Sequence, residues 1–291
     1  MIYPVLAATG YAFLPIFTKN LLASGMDPID LVAWRYLIAV PIFWGIALSR
    51  PVAPLSRPIP RRRVLVLGTL LALAGITAFV GLQFLNAGTY VVLFYTYPTM
   101  VALIGLFMGE RLSLTGYIAL ALTGVGIVLS APDFSSGFSG EALPGVILAL
   151  VNALIVAIYF LWSGRMLRGT SSLRGGAWTV TGTLLFMLAV APFGGITVPA
   201  EPSAWLNLVL LATVSTVLPV FALNAGIQRL GAARASIVST FEPLMTATLA
   251  MIFLGEQMAA VQWIGGLCIV ASVIVLQLRR QPAPDAEIIP A

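Results

Sequence analysis

Residues 64–109 read VLVLGTLLALAGITAFVGLQFLNAGTYVVLFYTYPTMVALIGLFMG, and none of these 46 residues is charged. A helix crossing the hydrocarbon core of a bilayer needs about 20 mostly apolar residues, so the stretch is long enough for two crossings. Asn86-Ala87-Gly88 interrupts it and divides it into spans 3 and 4. The whole chain has the same character: of its 291 residues 60% are hydrophobic and 9% charged, with a mean hydropathy of +1.03. Soluble domains carry about 25% charged residues. Nine per cent cannot cover a water-facing surface of this size, so lipid is the solvent for most of the chain.

The same length rule places the other spans where charges leave room. They run from Ile2 to Leu22, Leu31 to Ser49, Leu112 to Pro132, Leu143 to Gly164, Gly175 to Val198, Ala204 to Gln228, Ala235 to Gly255 and Met258 to Leu278. The expected fold is thus all-α, an integral membrane protein of ten transmembrane helices. Residues 51–63, rich in proline and arginine, are expected to be a loop. No basic n-region precedes the first apolar run, which reads as a retained span.

Charge placement orients the bundle. With both termini cytoplasmic, the loops after spans 2, 4, 6 and 8 and the tail face inward and hold every Lys and Arg of the 15 except Lys19 and Arg35. The outward loops hold Asp27, Asp30, Asp133, Glu141, Glu201 and Glu256. This is the positive-inside pattern. The sequence contains no His and one Cys, Cys268, which excludes disulfides within the chain and His/Cys metal sites. Cys268 lies in an apolar run and is read as a packing residue.

The chain repeats itself. Residues 81–98, GLQFLNAGTYVVLFYTYP, align with residues 226–243, GIQRLGAARASIVSTFEP. A shift of 145 pairs Gly81 with Gly226, Gln83 with Gln228, Leu85 with Leu230, Ala87 with Ala232 and Pro98 with Pro243. One inserted residue later, Gly109-Glu110 pairs with Gly255-Glu256, and Tyr117-Ile118 with Trp263-Ile264. Pro98 lies 12 residues before Glu110 and Pro243 lies 13 before Glu256, so the helix ends need not be strictly symmetric. Each copy holds five spans. An odd number inverts the second copy, which puts Glu110 inside and Glu256 outside. The expected organisation is a first repeat over residues 1–132, a connecting loop at 133–141, an inverted repeat over 142–278 and a disordered cytoplasmic tail at 279–291. Halves related in this way can exchange conformations about a site near the midplane, which is how many carriers work.

The duplicated elements Pro98…Gly109-Glu110-Arg111 and Glu242-Pro243…Gly255-Glu256 resemble the drug/metabolite transporter superfamily, in its EamA-domain branch, over nearly the whole chain. The resemblance implies a ten-helix exporter of the bacterial cytoplasmic membrane, with spans 1, 3, 4, 6, 8 and 9 lining a central cavity and spans 5 and 10 peripheral. Size and layout are similar to bacterial exporters of neutral and aromatic amino acids. The implied function is secondary export of small organic metabolites by alternating access; efflux of drugs or other metabolites is the alternative within the superfamily. A channel or an intramembrane enzyme is disfavoured. No charge ring, carbonyl filter, His, metal motif, paired intramembrane acids or Ser–base arrangement is visible. No nucleotide-binding loop is present either. No cofactor, metal or nucleic-acid partner is expected, only a small-molecule substrate and lipid; the oligomeric state stays open, a monomer included.

Candidate residues follow. Pro98 and Pro243, near mid-span, cannot donate a backbone hydrogen bond and free the carbonyls of Phe94 and Ser239; they read as paired gate hinges or as static kinks. Glu242 is the one acid deep within a span in this reading. Placing an ionised carboxylate at the bilayer centre costs roughly 2.5–3.5 kcal/mol. It therefore faces a cavity, where it binds a substrate ammonium or a coupling proton, or it is hydrogen-bonded structurally. Tyr11, Phe79, Gln83, Asn152, Tyr159, Ser163, Asn224 and Gln228 join the spacing-related Tyr90, Phe94 and Tyr97 as cavity candidates, giving amides and hydroxyls for a polar head and rings for an apolar tail. Packing and interfacial anchoring are the competing reading for each. Lys19 and Arg35 either hold a substrate carboxylate, snorkel, or pair with Asp27 or Asp30. Gly105, Gly109, Gly68, Gly75, Gly116, Gly124, Gly126, Gly265 and Gly266 permit close helix approach.

Overall fold

The computed structural model describes residues 2–49, 58–109, 114–130, 140–167, 170–190, 198–230, 238 and 240–278, with the side chains of residues 172, 224 and 226–230 outside that description. Among the described residues eight helical segments are long and apolar enough to cross a membrane, and two shorter apolar helices, Leu114–Ser130 and Glu242–Leu254, bring the number to ten. The spans are Ile2–Ala23 (span 1), Pro28–Ser49 (2), Arg61–Gly81 (3), Ala87–Phe107 (4), Leu114–Ser130 (5), Leu143–Met166 (6), Ser172–Val190 (7), Pro202–Leu230 (8), Glu242–Leu254 (9) and Ala260–Leu278 (10). The tail at 279–291 and most of the connecting loop at 133–141 lie outside the described residues.

Three boundaries depart from expectation: span 9 begins at Glu242, so that Glu242 heads its helix instead of lying deep within it, Val198 lies outside the helix of span 7, and span 3 begins early. Arg61, Arg62 and Arg63 form the first turn of span 3 instead of closing a loop. Pro60 stands at the N-cap, just before the first turn, where helix N–H groups lack intrahelical partners anyway. The guanidinium of Arg61 lies 5.2 Å from the ring centre of Trp178, so the long side chain is spent on an aromatic face.

Among the described residues three spans are broken and a fourth starts at a turn, and proline stands at the same place in each. Span 1 divides into Ile2–Ala12 and Leu14–Ala23, and span 4 into Ala87–Phe94 and Tyr97–Phe107. Span 8 passes through a π-helical turn, Thr213–Val217, before Leu218–Leu230, and span 9 begins at Glu242 after a turn at 240–241. Pro15, Pro98, Pro219 and Pro243 are each the second residue of the downstream segment. Proline withholds an N–H and crowds the preceding turn, but it fits the first turn of a new helix. Pro98 therefore interrupts and restarts its helix, and Pro243 stands in the first turn of its helix, where a mid-helix bend was expected at both. The break at 95–96 and the turn at 240–241 stand in the 145-residue register of the sequence repeat. Pro41, by contrast, lies inside the unbroken span 2.

Small residues set the close contacts. In lipid, helices associate by packing and hydrogen bonding rather than by hydrophobic exclusion. Spans 3 and 7 touch at Gly68, where a Cβ would lie 2.5 Å from Thr183 N and 2.7 Å from Gly182 C. Spans 5 and 10 pack on each other through Gly126 and Gly265, beside a hydroxyl relay in which Thr99 meets Thr123 at 2.8 Å and Thr123 donates to Ser272 at 2.8 Å. Gly75 meets Val32 and Gly266 meets Val92, but among the described residues Gly109 and Gly124 face open space, contrary to their reading as packing glycines. Gly109 and Gly255 have φ of +89° and +66°. Both end a span in the left-handed conformation that glycine adopts without steric cost. The half-buried Cys268 sits on span 10.

Candidate functional site

The restart of span 9 places Glu242 at the head of its helix, inside the bundle. Tyr95, in the break of span 4, donates its hydroxyl to Glu242 Oε2 at 2.8 Å. The two spans are thus joined by a phenol–carboxylate bond between residues 147 positions apart. Around it lie further phenols. Tyr97 lies within electrostatic range of Glu242, and Tyr11 of span 1 lies within electrostatic range of both Glu242 and Arg35. The ring of Tyr97 packs against Phe94 at 5.3 Å and Tyr95 at 5.9 Å, and stacks on Phe160 of span 6 at 5.5 Å.

Tyr95 is absent from the expected set because a continuous helix through Tyr90, Phe94 and Tyr97 turns residue 95 to another face. Across the break Phe94 and Tyr97 still meet, but Tyr90 is turned to Asn152 and Tyr95 to Glu242. Proline at the second position of a restarted helix was the signal that could have located it.

Arg35 does not snorkel. It is 8% exposed, its Nε donates to Thr216 Oγ1 at 2.7 Å, and its guanidinium lies 5.3 Å from the ring centre of Tyr36 and 5.7 Å from that of Phe79. Thr216 belongs to the π turn of span 8 and donates to Leu211 O, five residues back. At Gly10, span 1 comes so near this turn that a Cβ would stand 2.6 Å from Val214 O and 2.7 Å from Pro219 Cγ. The broken spans 1, 4 and 8 and the head of span 9 therefore converge with span 2 on the Tyr95–Glu242 and Arg35–Thr216 pairs.

Other expected residues fall elsewhere. Phe79 is fully buried beneath Arg35. Tyr90 and Asn152 are buried and bonded to each other, Asn152 Nδ2 donating to Tyr90 Oη at 2.9 Å, which makes them a span 4–span 6 clasp. Tyr159 meets Thr179 of span 7, and Ser163 donates back to Phe160 O of its own helix at 3.2 Å. Gln83 is exposed in the turn after span 3, away from the phenol cluster, because span 3 ends at Gly81. Asn224 and Gln228 lie on the last segment of span 8, their side chains outside the described residues. Among the described residues no group of His, Cys, Asp or Glu is arranged to hold a metal ion.

A second polar cluster closes one end of spans 1, 4 and 9. Glu256, just past Gly255, forms an ion pair with Lys19 through Oε1 and accepts the backbone N–H of Ala87 on Oε2 at 2.6 Å. Asn86 Nδ2 donates to Gln257 O at 3.1 Å instead of capping its own helix. Lys19 thus pairs with Glu256, not with Asp27 or Asp30.

Ten apolar spans with broken helices around a buried carboxylate define a multi-pass membrane protein of transporter type. The chain belongs to the EamA-like transporter family, whose model matches residues 1–131 and 143–278. It is 25% identical over 282 residues to the uncharacterized transporter YcbK of Bacillus subtilis (strain 168), covering 91% of this chain and 88% of that one. It is 26% identical over 194 residues to the uncharacterized inner membrane transporter YicL of Salmonella typhimurium (strain LT2), covering 66% and 65% of the two chains. It is 27% identical over 209 residues to the threonine/homoserine exporter RhtA of the same strain, covering 70% and 68%. A crystal structure 21% identical in sequence superposes with a TM-score of 0.66 over 95% of this chain and 96% of the other, a likeness of fold.

Proposed function

We propose that this membrane transporter is a secondary carrier that exports small zwitterionic metabolites, amino acids with neutral or aromatic side chains foremost, by alternating access between two inverted halves. One observation carries the reading: the break of span 4 and the head of span 9 meet in the Tyr95–Glu242 bond. A carboxylate at that depth is costly unless it has a task, and here it stands at the seam between the sequence repeats. The matched break and turn and the left-handed glycines at both Gly-Glu corners support the inversion. The likeness to a threonine/homoserine exporter supports the substrate class.

In this reading Glu242 takes the substrate ammonium while Tyr95 and Tyr11 hold its carboxylate oxygens in place. Arg35 supplies the positive end for the substrate carboxylate. The rings of Phe94, Tyr97 and Phe160 receive the apolar side chain. Proton and ammonium compete for one carboxylate, so each outward passage of substrate is exchanged for a proton. Pro98 and Pro243 are the hinges about which each half closes. The arginine distribution supports cytoplasmic termini in a bacterial inner membrane, with Lys19 and Glu256 on the outer side.

The test is counterflow into proteoliposomes preloaded with single amino acids, nucleosides or amphipathic cations. Saturable counterflow of amino acids is expected. Counterflow of the cations alone would reassign the protein to drug efflux, and flux without counterflow would make it a channel.

A further inference from the structure

We propose that Glu256 is the latch of one of the two gates: it holds the outer mouth shut by pairing with Lys19 and capping the span 4 helix at Ala87, and outward opening requires both bonds to break. The inference rests on the carrier reading given above.

Three elements that must separate for that mouth to open meet on this one carboxylate. Lys19 lies about one turn before the end of span 1, Ala87 begins span 4, and Glu256 follows span 9. The contact is between the halves: Lys19, Asn86 and Ala87 come from the first repeat, and Glu256, Gln257 and Met258 from the second. Each carboxylate oxygen has a different partner, so the latch has two separable parts. One is an ion pair whose side chains are 21% and 13% exposed. The other is a charged cap on a helix N-terminus, where unpaired N–H groups and the helix dipole favour an anion. The segment Ala87–Phe94 has no side-chain cap of its own from Asn86; Glu256 supplies it from another span. Gly255, left-handed at φ +66°, turns the chain sharply enough to bring the next residue back over the bundle. Gly88 lets the mouth close: a Cβ there would lie 2.7 Å from Met258 Sδ and 3.1 Å from Ala247 Cα. One ring contact below, Phe13 meets Phe253 at 5.8 Å across the same spans.

Two measurements test the latch in a Cys268→Ala background. In the first, Asn86→Cys and Gln257→Cys are combined. Oxidation is expected to cross-link them, abolish counterflow, and release it on reduction. Failure of the cross-link to form, or equal counterflow in oxidised and reduced protein, overturns the latch. Absence of counterflow in the reduced protein for every solute tested overturns the carrier reading instead.

In the second, a single cysteine replaces Phe17, which lies two residues before Lys19 and stacks on Phe13 at 5.6 Å, and is labelled in intact cells by a membrane-impermeant maleimide. Glu256→Ala is expected to raise the labelling rate about tenfold or more, given the strength of charge-assisted bonds. Lys19→Met is expected to raise it less, since the cap at Ala87 survives. The exchange Lys19→Glu with Glu256→Lys restores opposite charges but offers Ala87 no acceptor, so labelling stays above that of the parent. Labelling unaffected by Glu256→Ala, or fully returned to the parent rate by the exchange, refutes the two-part latch.

Discussion

Replacing Glu242 by Gln removes a charge while preserving shape, and the structure separates its consequences. Tyr95 donates to Glu242 Oε2 at 2.8 Å, and a carboxamide oxygen accepts the same bond. Folding should therefore not be weakened, because the bond survives and the cost of a charge at that depth is removed. Substrate binding should not be spared. A hydrogen bond to a charged group contributes about 1.5–3 kcal/mol, and each 1.4 kcal/mol is a factor of ten. The half-saturation concentration for an amino acid should thus rise about 10- to 150-fold. A deaminated analogue, which offers no ammonium, should lose less than about twofold. Counterflow in proteoliposomes over a concentration series measures both, and thermal unfolding in detergent monitors the fold. An imposed pH gradient should drive the parent and leave the variant unaffected, because the competition between proton and ammonium is gone. Equal losses for amino acid and analogue, or an unchanged half-saturation concentration, would remove Glu242 from ammonium recognition.

Other expectations follow from the same geometry. Gly68→Ala thrusts a methyl into backbone atoms of span 7, which cannot give way; overpacking costs about 1–3 kcal/mol, and the melting temperature should fall by several degrees, whereas Gly124→Ala should hold or raise it, since helical Gly is about 0.8–1.0 kcal/mol poorer than Ala. Tyr90→Phe strands the buried Asn152 amide and should destabilise by about 1 kcal/mol; a denaturation series would detect it. Thr123→Val breaks the relay between Thr99 and Ser272, but membrane hydrogen bonds average about 0.6 kcal/mol, so unfolding should shift only slightly. Reporter fusions at Glu110 and Glu256 should lie on opposite faces of the bilayer; a shared face would refute the inverted topology.

Hydropathy located the spans because lipid imposes a length that charges reveal, and the structure moves most described ends by only a few residues. It could not place Arg61–Arg63 in a helix, since only the contact with Trp178 shows where those side chains go. The site was half legible. Glu242 stood out through the cost of a charge at that depth, but Tyr95 did not, because period 3.6 was carried across a break that resets it. Lys19 and Glu256, 237 residues apart, gave no local signal of their partnership. Gln83 misled because a sequence match to Gln228 says nothing of where a helix ends, and span 3 ends at Gly81. Arg35 was expected to have local acids or the interface as partners, whereas the structure gives it a hydroxyl 181 residues away.

The widened turn at Thr213–Val217 sets the angular phase of everything that follows it in span 8. A π turn accommodates one surplus residue in an α-helical track, and one residue amounts to about 100° of rotation. Excising a single residue there would let the track close into uninterrupted α-helix. The segment Leu218–Leu230 would then swivel by roughly that angle, Thr216 would swing away from Arg35, and the azimuth of Asn224 and Gln228 would change with it. Span 8 carries its aim in that one additional residue.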